Sequence, residues 1–235
     1  MSLKNWDNKT WLSSSSYIKS FNNFLLKQVK LNKNSQILDI GCGRGKILGS
    51  LSSKLSLKRK SIGIDIENHK DRDKRIIFKK IDALKFLKKN KKTFDLILVK
   101  QTIHLFKIKD IKTILKLSKR LLNPNGKIII FTLDPINNEI PTFSIMKKKL
   151  KKALIRDKKI IKSISYSFKG KIVRGFSYKV KISKKKYMEM VKSKYISVLL
   201  GMSHKLISSG LNEIKKKYKK QISFQDKLIC LVLNR

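Results

Sequence analysis

Between about residues 35 and 133, short apolar runs alternate with amphipathic stretches. Ser35–Ile40, Lys60–Ile66, Arg75–Ile81, Phe94–Val99 and Lys127–Leu133 read as five buried strands, each a near-continuous Ile/Leu/Val run. Between the last two, Ile108, Ile111, Ile114, Leu115 and Leu121 fall at helical spacing and predict a helix over about 107–122. Asn123-Pro-Asn-Gly126 reads as a turn leading into the fifth strand. Strands that alternate with helices predict an α/β fold, with a parallel sheet covered on both faces.

The pattern changes at Pro141. A helix over about 141–161 sets Phe143, Met146, Leu150 and Leu154 opposite lysines, with Pro141 in its first turn. Two longer strands follow at 171–182 and 221–233, separated by helices at 184–194 and 203–219. Ser13–Ser16 reads as a helix N-cap ahead of Tyr17, Phe21, Phe24 and Leu25. The expected organisation is an N-terminal helix over 1–34, a core over 35–140, a cap over 141–220 and a final core strand over 221–235.

Charge complicates this picture before it helps. Lys and Arg number 58 against 15 acids, a formal net charge of +43, which taken alone points to nucleic acid or an anionic membrane surface. Only eight of the 58 are Arg, and alanine occurs only at Ala83 and Ala153. That Lys and Ile bias is the skew of an AT-rich genome, and phosphate-reading surfaces favour the planar fork of Arg. The charge therefore reads mainly as background, densest in residues 141–235 with 27 bases and four acids. No stretch approaches the roughly 20 apolar residues that span a bilayer, and the first residues lack a secretory apolar segment. Cys42 and Cys230 make neither a disulfide framework nor a metal cluster. A cytoplasmic protein without a metal is expected.

The most specific feature is Ile37-Leu-Asp-Ile-Gly-Cys-Gly-Arg-Gly-Lys46: a strand, Asp39 near its end, then Gly41, Gly43 and Gly45. Glycines let the backbone turn sharply and approach a ligand. A dinucleotide fingerprint would place its third glycine at position 46, which is Lys46. The G-x-G-x-G spacing instead resembles motif I of the class I S-adenosylmethionine-dependent methyltransferases. The resemblance continues with Asp65 ending the second strand, Asp82 after the third, Lys100-Gln-Thr-Ile-His104 after the fourth, and Leu121–Lys127 before the fifth. It implies a Rossmann-like, doubly wound, mostly parallel seven-stranded sheet with a C-terminal helical cap, and S-adenosylmethionine as cofactor. It also implies that Asp39, Gly41, Cys42, Gly43 and Gly45 cradle the methionine part, that Asp65 with Ile66 takes the ribose, and that Asp82 with Ala83 takes the adenine; Lys100 completes the set. The alternative for Asp82 is a cap on a helix beginning at Ala83. Glu67 reads as a surface acid and His69 as a solvated loop residue.

Beyond residue 180 the chain resembles the cap-bearing, trans-aconitate-methyltransferase-like branch of small-molecule methyltransferases. That implies substrate contacts from Trp11, Gln101, His104, Lys194 and Tyr195, with Lys194 where the branch often has arginine, and an N-terminal helix, beginning near Trp6, that lids the cofactor. Methyl transfer from a sulfonium needs a base only when the acceptor must lose a proton; His104 is the candidate base, or packs beside the methyl. His204 is expected to start a helix after Gly201 or to line the cap. The expected reaction is methylation of a small metabolite, with the basic cap favouring an anionic one. The alternative is an RNA methyltransferase, although Val99-Lys-Gln-Thr102 lacks the Pro-Pro-aromatic run of nucleobase amino methylases and no aromatic-interleaved basic platform is evident.

Overall fold

The computed structural model describes residues 10–235. Trp6 and the start of the expected lid lie outside these residues. Seven strands form one sheet in the order β3-β2-β1-β4-β5-β7-β6. They are β1 (Ile37–Ile40), β2 (Ile62–Asp65), β3 (Ile77–Lys80), β4 (Phe94–Lys100), β5 (Leu122–Leu133), β6 (Lys171–Ser183) and β7 (Gln221–Asn234). The first five run parallel, and β7 lies antiparallel to both β5 and β6. β6 is thus an edge strand of the same sheet, so the stretch 141–220 gives the sheet a strand as well as helices.

Side chains alternate across the central strands, and that alternation builds two apolar layers. Leu96, Leu98, Ile129 and Phe131 face the layer formed with α1 (Ser15–Leu26), α2 (Lys46–Lys54), α6 (Lys184–Lys192) and α7 (His204–Lys217). Ile97, Val99, Ile128 and Ile130 face α3 (Ala83–Lys89) and α4 (Ile108–Arg120). The long helix α5 (Ser144–Phe168) serves both layers: Met146, Leu150 and Leu154 join the first, and Ile160, Ile161 and Ile164 the second. Ser14 caps α1 by accepting from the Tyr17 amide at 3.3 Å, as the serine run predicts.

Two local expectations fail for identifiable reasons. Asn123–Gly126 is not a free turn but an irregular stretch within β5, where the register against β4 shifts between Phe94 and Leu96. Asn125 takes φ +64°, and Gly126 leaves room for the Phe94 carbonyl, which a Cβ would meet at 2.8 Å. Pro141 precedes α5 rather than opening it, and its carbonyl accepts from the Tyr187 hydroxyl. The helix starts at Ser144 because Glu213 of α7 takes both the Ser144 amide (2.8 Å) and hydroxyl (2.6 Å), and it runs on to Phe168, where Lys169 at φ +50° ends it.

Candidate active site

The strand order reverses between β1 and β4, and in such sheets ligands bind in the crevice beyond the carboxyl ends of the strands at that point. The glycine-rich turn leaves β1 there. Gly41 adopts φ +74°, and a Cβ on it would lie 2.2 Å from Cγ2 of Thr102, just beyond β4. Gly45, at φ +71°, leads α2 with no side-chain cap, and a Cβ there would meet Ile76 at 2.2 Å. Neither position admits another residue without moving the wall behind it.

Asp65 stands at the end of β2, facing the turn. One carboxylate oxygen accepts from the Gly43 amide at 2.9 Å and the other from the Glu67 amide at 3.0 Å, with His69 Nε2 at 3.6 Å. Burial is the largest single influence and pushes the carboxyl up. His69 and the two amides together outweigh it, so Asp65 titrates below its ordinary value and is ionised at neutral pH. His69 is therefore not solvated: the loop after β2 folds back and buries it against Asp65. Glu67 is half-buried and lines the same cavity instead of standing on the open surface. Asp82 does cap α3, accepting from the Lys85 amide at 3.0 Å, and also lines the cavity with Ala83.

Behind this wall lies a second acidic group with opposite character. Asp39 is buried, its Oδ1 has no hydrogen-bond partner, and burial pushes its carboxyl up to about 7; Lys100 works against that shift and Asp65 adds to it. Lys100 donates to Gln101 Oε1 at 2.8 Å and lies over the rings of Tyr17 and Phe21 at 5.3 and 5.2 Å. Its charge also reaches Asp226 on β7, which is wholly buried and accepts from Trp11 Nε1 at 3.0 Å. Burial raises the Asp226 carboxyl as well.

The cavity beyond the sheet has a volume of about 560 Å³. Of the residues predicted to bind ligands, Gly41, Asp65, Ile66, Asp82, Ala83, Gln101, His104 and Tyr195 line it. Asp39, Cys42, Gly43, Gly45, Lys100, Trp11 and Lys194 stand outside that lining. Cys42 packs against Gly63, where a Cβ would meet its sulfur at 2.7 Å. Trp11 reaches the cavity only through Tyr195, ring to ring at 5.5 Å. Lys194 adopts φ +54° after α6 and turns its ammonium to the carbonyls of Met202 (2.6 Å) and Leu200 (3.3 Å). Its ammonium thereby braces that loop. His204 opens α7 and is exposed.

Two residues at this site, Arg156 and Asp157, carry no motif in the sequence. From α5, Arg156 Nη2 donates to the His104 carbonyl at 2.7 Å and pairs with Asp157 Oδ1 at 3.1 Å; all three residues line the cavity. An arginine beside an acid in an otherwise lysine-dominated helix is the only sequence signal they carry. Burial lowers the His104 imidazole below its usual value, the Asp157 charge opposes that shift and the Arg156 charge reinforces it. Altogether the cavity wall carries five carboxylates (Asp65, Glu67, Asp82, Asp110, Asp157) and two cations (Lys107, Arg156), in a chain with 58 bases.

A nucleotide-type crevice at the switch point, a G-x-G-x-G turn and an ionised acid at the end of β2 together define the class I methyltransferase architecture. The sequence model of the family described as "Methyltransferase domain" matches residues 31–195, and the chain belongs to that family, an S-adenosylmethionine-dependent methyltransferase. No curated protein matches it. Among solved structures, a protein assigned as a methyltransferase from an antibiotic biosynthesis pathway of Anabaena variabilis superposes with TM-score 0.64 at 14% identity, over 91% of this chain and 96% of that one. A SAM-dependent methyltransferase from Thiobacillus denitrificans, in complex with S-adenosyl-L-homocysteine, gives 0.55 at 13%, over 94% and 92%. The plantazolicin methyltransferase BpumL, in complex with a monoazolic desmethylPZN analog and SAH, gives 0.51 at 17%, over 98% and 88%. At these identities the likeness is one of fold. The family match names the domain and not the trans-aconitate-like branch. Among the described residues, no helix is long and apolar enough to cross a membrane.

Proposed function

We propose that the cavity and the glycine-rich turn bind S-adenosylmethionine as one continuous site, and that the methyl acceptor is a small molecule entering between His104, α5 and Tyr195. The residues fit the cofactor on three counts. The turn's positive-φ glycines keep side chains out of its path. Asp39 offers a buried oxygen with no partner, suited to an ammonium. The excess of carboxylates on the wall suits a cationic cofactor.

In this reading Asp65, charged and already oriented by backbone amides, receives the ribose hydroxyls; Ile66, Asp82 and Ala83 flank the adenine. Asp39, Lys100 and the turn from Gly41 to Gly45 serve the methionine end, with Cys42 packing the turn. When bound, the cofactor supplies a methyl group on positively charged sulfur. This chain's part is to hold the acceptor in line with that methyl and to exclude water, which supplies much of the acceleration in such displacements. Gln101, Tyr195 and Trp11 shape the acceptor side; Lys194 supports it only by bracing the loop that carries Tyr195 to Val198.

The observation that carries the reading is Asp65: an acid kept ionised, against its burial, by His69 and two amides at the mouth of a glycine turn. Titration calorimetry with S-adenosylmethionine tests it. Asp65→Ala should weaken binding at least about 100-fold, as expected for losing a charged bidentate acceptor; unchanged affinity would sink the assignment. The RNA alternative gains no support from the family match or from a wall so rich in carboxylates.

A further inference from the structure

Helix α5 carries nine bases, and only Arg156 among them lines the cavity. The basic cap thus turns its charge outward. The apolar stripe of α5, from Met146 to Ile164, packs into the protein's own two layers. On the opposite side, helical spacing sets Lys148, Lys152, Ile155, Lys159, Lys162 and Tyr166 in one row, and all six are exposed. Lys147, Lys149, Lys151 and Lys158 flank that row and are exposed too. The one acid of the helix, Asp157, is buried and paired with Arg156, so the outer side presents eight ammonium groups and no carboxylate. Among the described residues, none of the eight pairs with an acid elsewhere in the chain.

Two features of this face are unfavourable in water. Like charges three or four residues apart repel, as Lys148 does Lys151 and Lys152, and Lys162 does Lys158 and Lys159. Ile155 is 50% exposed and Tyr166 90% exposed. The adjoining loop has the same make-up. Arg156 donates to the His104 carbonyl at 2.7 Å, and just past that contact Leu105 (46%) and Ile108 (67%) stand exposed among Lys107, Lys109 and Lys112. Both features become favourable against a surface that is anionic and has an apolar layer beneath its charge. An RNA would be gripped through arginine forks and stacking rings. Here the one arginine of α5 is already held by His104 and Asp157, and its outer row offers a single ring. A lipid headgroup layer needs neither: lysine acts as a point charge, worth about fivefold in partition for each one near an anionic bilayer. Tyrosine and aliphatic side chains settle at the headgroup level.

We propose that the outer face of α5, with the Leu105–Lys112 segment beside it, is a docking surface for an anionic lipid bilayer. Among the described residues no helix is long and apolar enough to cross the membrane, so attachment is interfacial. The lysines meet headgroup phosphates, while Ile155, Tyr166, Leu105 and Ile108 reach between the headgroups. The other side of α5 lines the chamber with Leu150, Ala153 and Leu154. Docking therefore brings the lipid to about 10 Å from the chamber, one helix diameter. The inference goes beyond the cofactor reading and does not depend on it.

Sedimentation of the whole protein with vesicles tests it, using phosphatidylcholine alone or in equal parts with phosphatidylglycerol. Wild-type protein should bind the mixed vesicles, bind phosphatidylcholine poorly, and lose at least about tenfold in affinity as salt screens the surface. Net charge alone could produce that much, so matched variants read the face. Changing Lys148, Lys152, Lys159 and Lys162 to Gln should weaken binding at least about 100-fold. The same change at Lys88, Lys89, Lys91 and Lys92, exposed ahead of β4 at the far end of the sheet, removes equal charge and should cost less than about threefold. Ile155→Ser combined with Tyr166→Ser should weaken binding about tenfold, whereas Ile77→Ser, at an exposed aliphatic on β3, should leave it unchanged. All the substituted side chains are exposed, and thermal melts within a few degrees of wild type confirm that losses are read at constant fold. Absence of binding to mixed vesicles, equal losses from the two lysine sets, or no loss from the Ile155 and Tyr166 pair would each overturn the inference. So would an RNA hairpin that binds more tightly than the vesicles and is released by the α5 lysine changes alone. Failure of the wild-type protein to bind S-adenosylmethionine would overturn the proposed function and leave the docking surface standing.

Discussion

Asp65 and Asp39 flank the same glycine turn, yet their environments drive them in opposite directions. Asp65, beside His69 and accepting two backbone amides, is held below its ordinary pKa, so it is charged before any ligand arrives. Asp39 is walled in by β1, β2 and β4, keeps one oxygen without a partner and rises to about 7. The contrast separates a recognition group that stabilises the folded protein from one that is retained at the expense of stability. Linkage gives each a pH signature. Asp65 contributes stability that is present above the unfolded carboxylate range and is lost as pH falls through its depressed value. Asp39 does the reverse: its cost is absent near pH 4, grows as pH rises and is complete above about 7.

The largest expected effect breaks this contrast from the Asp39 side. Asp39→Asn should leave urea stability near pH 4 almost unchanged and raise it at pH 8 by on the order of 4 kcal/mol, the equivalent of a shift of about three pKa units, while weakening S-adenosylmethionine binding. Equal stabilisation at both pH values would mean that Asp39 does not carry the ionisation cost. Asp65→Asn should act with the opposite sign, lowering stability at pH 7 by about 1–3 kcal/mol and losing that difference near pH 2, as urea melts across that range would show. Next in size is Trp11→Phe, which leaves the buried Asp226 side chain without its 3.0 Å donor. A loss of about 1–2 kcal/mol is expected in urea melts at pH 7. The smallest effect belongs to Lys194→Met: a fall of a few degrees in Tm from two unserved carbonyls, with the KM for acceptor unchanged. A large rise in KM there would restore Lys194 to the acceptor site.

The parts of the site legible in the sequence are those made by residues close together in the chain. The Asp39-to-Gly45 turn, Asp65 at a strand end and Asp82 at a helix start each follow from a run of a few residues with one conformational demand. Strand alternation similarly revealed the sheet, because burial on both faces demands continuous apolar runs. What stayed hidden depends on contacts across long separations. Arg156 meets His104 over 52 residues, and Trp11 meets Asp226 over 215. His69 looks like one more polar loop residue until β2 places Asp65 beside it. Pro141 misled because the start of α5 is set by Glu213, a partner 69 residues away that no local propensity reports. Lys194 shows the limit of position alone: the resemblance implies a ligand contact, and a left-handed backbone turns its ammonium onto the neighbouring loop.

Among the described residues the sheet is open, and its two outer strands, β3 and β6, each leave one side of their backbone without a strand partner. Such edges are templates for pairing with another chain, and lysine is a common device against it. Here Lys79 and Lys80 stand exposed on β3, and Lys171, Lys179 and Lys181 on β6. A second molecule approaching edge to edge would have to bring these ammonium groups together and strip their water. Lysines that recognise no ligand can thus still be selected, as guards that keep a twisted sheet with two open borders from growing into a fibre.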